Sequence, residues 1–175
     1  VTVSVSSFVP KAHSAFQWAP QCSIEEIERK QQYIKGLIRD KHISYHYHDA
    51  RTGRMEAAFA RGDRRLGKVL YYAWKKGCKF DGWTEMFDYD KWNESFADAG
   101  LEVDYFASRQ RGEQEPFPWD HMSAGVAKAY LLNEWKKAHD EELTDDCRRK
   151  RCTGCGVCPN LGVHLIDLKA GDGNG

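Results

Sequence analysis

The sequence predicts an α/β portion, then a mainly α portion, then a short cysteine-rich tail. Three observations predict it. Val1, Val3 and Val5 alternate with Thr2, Ser4 and Ser6, and Ile43, Tyr45 and Tyr47 alternate with Ser44, His46 and His48, the period of half-buried strands. A helical pattern opens between them, so strand, helix and strand read as a βαβ unit with a parallel, right-handed crossover. Beyond His48 the apolar spacing is helical until the cysteines begin.

The elements follow in order. A loop with Pro10 and Pro20 leads to Ser23, which forms with Glu26 the S-x-x-E capping box that ties off the first free amides of a helix. That helix carries Ile24, Ile27, Tyr33, Ile34, Leu37 and Ile38 on one broad face and is expected to end near Asp40. Arg61-Gly-Asp-Arg-Arg65 is a dense charged turn. It enters a helix marked by Leu66, Val69, Leu70, Ala73 and Trp74, with Asp63 as its candidate cap and Gly77 as its terminator. Trp92, Phe96 and Ala99 mark a shorter helix closed by Gly100. Val126, Tyr130, Leu131 and Trp135 mark another, with Ser123 as its cap. The aromatic connectors Phe80-Asp-Gly-Trp83 and Phe117-Pro-Trp119-Asp-His121 read as core and satellite packing. The chain then turns acidic (Glu141, Glu142, Asp145, Asp146), then basic (Arg148–Arg151), and its last residues, GDGNG, are expected to fray. There is no internal repeat.

A chain of 175 residues can bury one core plus a small appendage. Lys+Arg and Asp+Glu are both 26, so bulk charge points to neither nucleic acid nor membrane. No apolar run approaches the ~20 residues of a membrane span, and no secretory signal opens the chain. Thirteen per cent aromatics, six of them tryptophans, argue against disorder. The chain opens on Val in a strand pattern, and is expected to be a piece of something longer.

Four of the six cysteines fall within twelve residues, Cys147-(x4)-Cys152-(x2)-Cys155-(x2)-Cys158, with Pro159 after them. Thiolates that close together suit a tetrahedral zinc or an iron–sulfur cluster. Gly154 and Gly156 supply the left-handed turns that aim amide N–H groups at sulfur. Cys-x2-Cys-x2-Cys with a nearby proline resembles a ferredoxin loop, but the remaining cysteine lies upstream rather than three residues on. Disulfides fit less well, because Cys22 and Cys78 are the only cysteines in the first 140 residues and read as semi-buried thiols. The pattern suits a reducing, cytoplasmic setting. His139 and His164 are the nearest substitute ligands should Cys147 not serve.

Elsewhere the chemistry is sparser. If the first strand belongs to a barrel or open parallel sheet, ligands gather past its C-terminal end, where Ser6, Ser7, Phe8, Pro10, Lys11 and His13 stand. Lys11 suits a carboxylate or phosphate and His13 a proton transfer; a solvated lysine and a loop histidine are the ordinary alternatives. His46 and His48 share a strand face, yet no third metal ligand is near them in sequence. Arg64 and Arg65 suit a phosphate or an acidic partner, with a solvated helix start as the ordinary alternative. Arg148–Arg151 suit RNA phosphates or the countercharge of a thiolate-bound centre.

These residues carry a resemblance. Ser7-Phe-Val-Pro-Lys11, continuing as His13…Phe16-Gln-Trp18-Ala-Pro20, resembles the end of the catalytic barrel in a group of radical SAM proteins with a cobalamin-binding-like domain before the barrel. Arg61-Gly-Asp-Arg-Arg65-Leu66-Gly67, Gly77…Phe80-Asp-Gly-Trp83 and Pro118-Trp-Asp-His121 are similar to the region after that barrel, and the cysteine tail is similar to theirs. The resemblance implies the last β/α elements of a radical SAM barrel in residues 1–48, a helical extension in 49–140 and a metal-binding tail in 141–175. It implies an auxiliary 4Fe–4S cluster or a structural zinc on Cys147, Cys152, Cys155 and Cys158, and Lys11 and His13 near substrate or SAM. SAM with its own 4Fe–4S cluster, and cobalamin if used, would belong to upstream domains of the parent. The Cys-x3-Cys-x2-Cys loop of that chemistry does not occur here, so this portion is expected to be inactive alone. The resemblance names no substrate; the first functional reading is part of a radical SAM enzyme acting on a cytoplasmic substrate such as an RNA, a protein or a small metabolite. The alternative is a non-catalytic zinc module that docks RNA or a protein.

Overall fold

The two predicted strands pair as expected in the computed structural model, which describes residues 1–163. Strands β1 (Thr2–Val5) and β2 (Ser44–Tyr47) run parallel, with Thr2 opposite Ser44 and Val5 opposite Tyr47. Helix α1 (Ile24–Leu37) is the crossover between them. Its start follows the capping box: the Ser23 hydroxyl accepts the Glu26 amide at 3.2 Å. It ends at Leu37, short of Asp40, as Ile38 turns extended. Only Ile27 and Gln31 on it are buried, and Tyr33 and Leu37, expected on the packed face, are exposed.

The remaining helices are α2 (Ala50–Arg61), α3 (Leu66–Lys75), α4 (Tyr89–Asp98), α5 (Val103–Ala107), α6 (Lys128–His139) and α7 (Val157–Leu161). The chain forms two compact units. One comprises residues 1–11 and 19–111, the other residues 12–18 and those from 112 onward. Residues 12–18 therefore leave the β-containing segment and pack with the C-terminal part of the chain.

In the first unit α2 packs on α5 and α3 on α4 around Val69, Phe96 and Phe106. Asp49 caps α2 by accepting the Thr52 amide at 2.8 Å. The buried face of α2 is made of small residues, two arginines and the single large apolar residue Met55, which is why its apolar spacing is faint in the sequence. Arg61 donates to the carbonyls of Ala107 and, at 2.8 Å, Arg109, while Arg111 donates to the Arg61 carbonyl. Arg54 bonds Ser108 and Asp104. Buried cations are tolerated because carbonyl and carboxylate partners replace their water. Gly62 admits no side chain, since a Cβ would stand 2.7 Å from the Ala58 carbonyl oxygen and 2.0 Å from Leu66.

Helix α3 buries Leu66, Val69 and Ala73 as its pattern predicts, but leaves Leu70 and Trp74 in solvent. Gly77 ends it at φ 85°, with the Cys78 amide returning to the Ala73 carbonyl at 3.0 Å. Gly100 closes α4 at φ 69°. Asp63 works at the entrance to α3 by accepting the Arg65 amide, although Arg65 is the residue at the cap position. The connector at Phe80 and Trp83, expected to pack, is exposed.

The second unit is built of a 3-10 turn (Ala15–Trp18), α6 and α7. Phe16 stands edge-on to Trp135 at 5.3 Å, and Trp18 and Trp119 both contact Phe117, at 5.5 and 5.0 Å. The 117–119 connector is thus buried as predicted. Ser123 does not cap α6; its hydroxyl accepts the Gly125 amide, and Ala127 takes the cap position with no side-chain bond. No helix among the described residues is long and apolar enough to cross a membrane. His164 and the GDGNG terminus lie outside the described residues.

Candidate functional site

The second unit holds a polar cleft of about 420 Å³, of a size that takes a small molecule. His13, Gln17, Asp120, Ser123 and Lys128 supply its polar wall, and Met122, Val126 and Leu131 its apolar one. His13 has φ 55°, a left-handed conformation that costs a residue bearing a Cβ. The network around it holds it there. Its amide donates to Gln17 Oε1 at 3.2 Å, and the buried Trp119 Nε1 donates to the same oxygen at 2.8 Å. With that oxygen doubly occupied, the Gln17 carboxamide is locked in one orientation.

Across the cleft Lys128 Nζ donates to Asp120 Oδ2 at 2.6 Å and to the Glu115 carbonyl at 3.2 Å, and sits 4.2 Å from the Phe117 ring centroid. The Phe117 amide also reaches Asp120 Oδ2, at 2.8 Å. Burial pushes the Asp120 carboxyl up, but Lys128 and the Phe117 amide together hold it below the usual range, so it stays ionised beside its cation. The cleft therefore presents a histidine on a fixed backbone and an ion pair to any occupant.

The cysteine loop is bonded to the wall of this cleft. The Ala127 amide donates to the Cys155 carbonyl at 2.9 Å, Asn160 Nδ2 to the Gly125 carbonyl at 2.8 Å, and the Tyr130 hydroxyl to Thr153 Oγ1 at 3.2 Å. Gly154 and Gly156 adopt φ 77° and 91°, the left-handed turns expected of a loop that wraps an inorganic centre. All six cysteines are free thiols; Cys152 is exposed, and Cys147, Cys155 and Cys158 are half-buried. Donor type and backbone turns fit a thiolate-bound metal. Among the described residues, however, no three His, Cys, Asp or Glu side chains are gathered closely enough to hold one.

The other predicted positions scatter. Lys11 belongs to the first unit and pairs with Glu56 at 2.5 Å in solvent, while His13 belongs to the second. The residues past β1 do line a pocket of about 190 Å³, but an apolar one: Ser6, Ser7 and Phe8 face Ile27 and Ile34, with Lys30 Nζ 3.6 Å from Cys22 Sγ. Cys22 is exposed rather than semi-buried; Cys78 is half-buried, and burial pushes its thiol up. His48 gives its carbonyl to Gln31 at 2.8 Å. His139 packs edge-on against Trp135 at 4.3 Å. In the basic run, Arg148 pairs with Asp146 at 2.8 Å, which holds that carboxyl down at about 2, and Lys150 pairs with Asp145 at 2.8 Å. Gln17, Asp120, Ser123 and Lys128 were not singled out as ligands by the sequence; Gln17 and Asp120 do fall inside the two aromatic motifs quoted for the resemblance.

No protein-family model, curated protein or solved structure matches the chain.

Proposed function

We propose that this chain is the C-terminal portion of a radical SAM enzyme, and that Cys147, Cys152, Cys155 and Cys158 hold an auxiliary 4Fe–4S cluster or, in its place, a zinc. The observation that carries the reading is the loop: four free thiols in twelve residues, with left-handed glycines flanking Cys155. The loop closes around its metal when the metal binds, which couples ligation to local folding. Bound there, a cluster would supply one-electron transfer and a zinc would supply rigidity alone.

The parallel β1–α1–β2 unit supports the barrel part of the proposal. Parallel sheets are ordinarily covered on both faces, yet residues of β1 and β2 are all exposed or half-exposed. Upstream domains of the parent complete that sheet. In the cleft, His13 and the Asp120–Lys128 pair face the substrate, a cytoplasmic RNA, protein or metabolite. His13 holds or moves a proton, Gln17 anchors its backbone, and Lys128 keeps Asp120 ionised. The radical-generating cluster and SAM belong to the upstream part, so no turnover is expected of this chain alone.

Anaerobic reconstitution with iron and sulfide tests the reading. A brown protein with broad visible absorbance, lost in Cys155→Ala, is the expected result. A colourless protein that holds one zinc through the same cysteines would make the tail either a structural site of the parent enzyme or a non-catalytic module that docks RNA or protein. Absence of both metals would remove the site.

A further inference from the structure

A surface in the first unit has no role in this chemistry. From Arg64 to Phe80 the chain carries six cations and no acid, although the whole chain balances 26 against 26. Arg65 pairs with Asp63, and Lys76 with Glu94 and Asp98. The other four, Arg64, Lys68, Lys75 and Lys79, form no ion pair among the described residues.

The same stretch exposes aromatic rings. Helix α3 turns Leu66, Val69 and Ala73 inward, so its outer face should be polar. Instead it presents Tyr71, half-exposed, and Trp74, 68% exposed. The two rings lie 6.0 Å apart and are tilted by 34°, and Lys75 Nζ stands 4.9 Å from the Tyr71 centroid. Past the end of the helix, Phe80 is held at φ 60° and is 70% exposed, with Trp83 65% exposed in the same turn. A bulky residue in the left-handed region that also leaves its ring in water gains nothing for the fold.

We infer that this face binds single-stranded RNA. Rings of this kind stack on unpaired bases, and the free cations track the phosphates between them. A duplex would offer the cations its phosphates but no base faces to the rings. An acidic peptide would satisfy the cations alone. RNA is chosen over DNA because unpaired bases are the form in which RNA ordinarily meets proteins. Binding here does not depend on the thiols of the tail.

The test is fluorescence anisotropy of the full chain with a labelled oligouridine of about twelve nucleotides, a length within the usual site size. Saturable binding is expected, with Trp74 emission quenched as it stacks. Trp74→Ala should weaken it about ten-fold or more, Trp74→Phe should retain most of it, and Lys68→Gln with Lys75→Gln should lower the salt slope by about 1 to 2. Cys155→Ala should bind as tightly as the unaltered chain. An unchanged melting temperature checks that the variants fold. The inference is overturned if the unaltered chain shows no saturable binding, if Trp74→Ala binds equally well, or if a hairpin duplex or oligothymidine DNA binds more tightly. Loss of binding on neutralising Arg148–Arg151 with Trp74 silent would also overturn it, assigning the RNA to the tail.

Discussion

The Ala127 amide donates to the carbonyl of Cys155 at 2.9 Å, so the residue just before α6 and a candidate sulfur ligand are joined through their backbones. Val126 and Lys128, on either side of Ala127, line the cleft that contains His13. Whatever orders the cysteine loop therefore also braces the cleft wall.

The Asn160–Gly125 bond is the side-chain half of that brace. Asn160→Ala should cost about 1 kcal/mol, the net worth of one such bond. It should also expose the loop, so that limited proteolysis cuts between residues 153 and 161 faster than in the unaltered chain. Equal cleavage rates would show that the loop is held by other means.

Two glycines give a matched pair of opposite sign. Gly156 has φ 91°, and a Cβ there would lie 3.1 Å from Asn160 Nδ2 and 3.4 Å from the Gly125 carbonyl oxygen. Gly156→Ala should destabilise by about 1–2 kcal/mol, the left-handed cost for an L-residue. Gly67 is the second residue of α3 with nothing within 4 Å of a Cβ there, so Gly67→Ala should stabilise, by up to about 0.5 kcal/mol, the low end of the value for a helix interior. Urea unfolding of both variants checks the pair.

The Asp120–Lys128 contact sets a pH window. Its carboxyl is depressed in the folded protein, so the contribution is fully present above the unfolded carboxylate value of about 3.9 and is lost as pH falls through the folded value. Partial solvent screening limits it to about 1 kcal/mol or less. The stability difference between the unaltered chain and Asp120→Asn should be flat from about pH 7 to pH 5 and should vanish in stronger acid. A difference that grows in acid would contradict the assignment.

The strands, the capping box at Ser23 and the glycine stops at Gly77 and Gly100 were legible because each is a local signal. Helix α2 was not, because its core face joins Met55 to Ala57, Ala58, Arg54 and Arg61, and the sequence does not show which carbonyls will receive a buried arginine. The aromatic connectors show the same limit. Trp119 is buried because its Nε1 finds Gln17, 102 residues away, whereas Trp83 is left in water. The cleft was half legible: His13 stood out by its place after β1, but the partners that make it a site come from a distant segment. The four thiols were plain in the sequence and their backbone turns are present, but among the described residues the thiols are not gathered into a metal-holding group.

The most direct measurement is the iron, sulfide and zinc content of the chain prepared and reconstituted without oxygen, alongside Cys155→Ala and Cys78→Ala. The unaltered chain and Cys78→Ala should each carry about four irons with matching sulfide, or about one zinc, and Cys155→Ala should carry neither. Equal metal in all three proteins, or none in any of them, would contradict a thiolate-bound centre at Cys147, Cys152, Cys155 and Cys158.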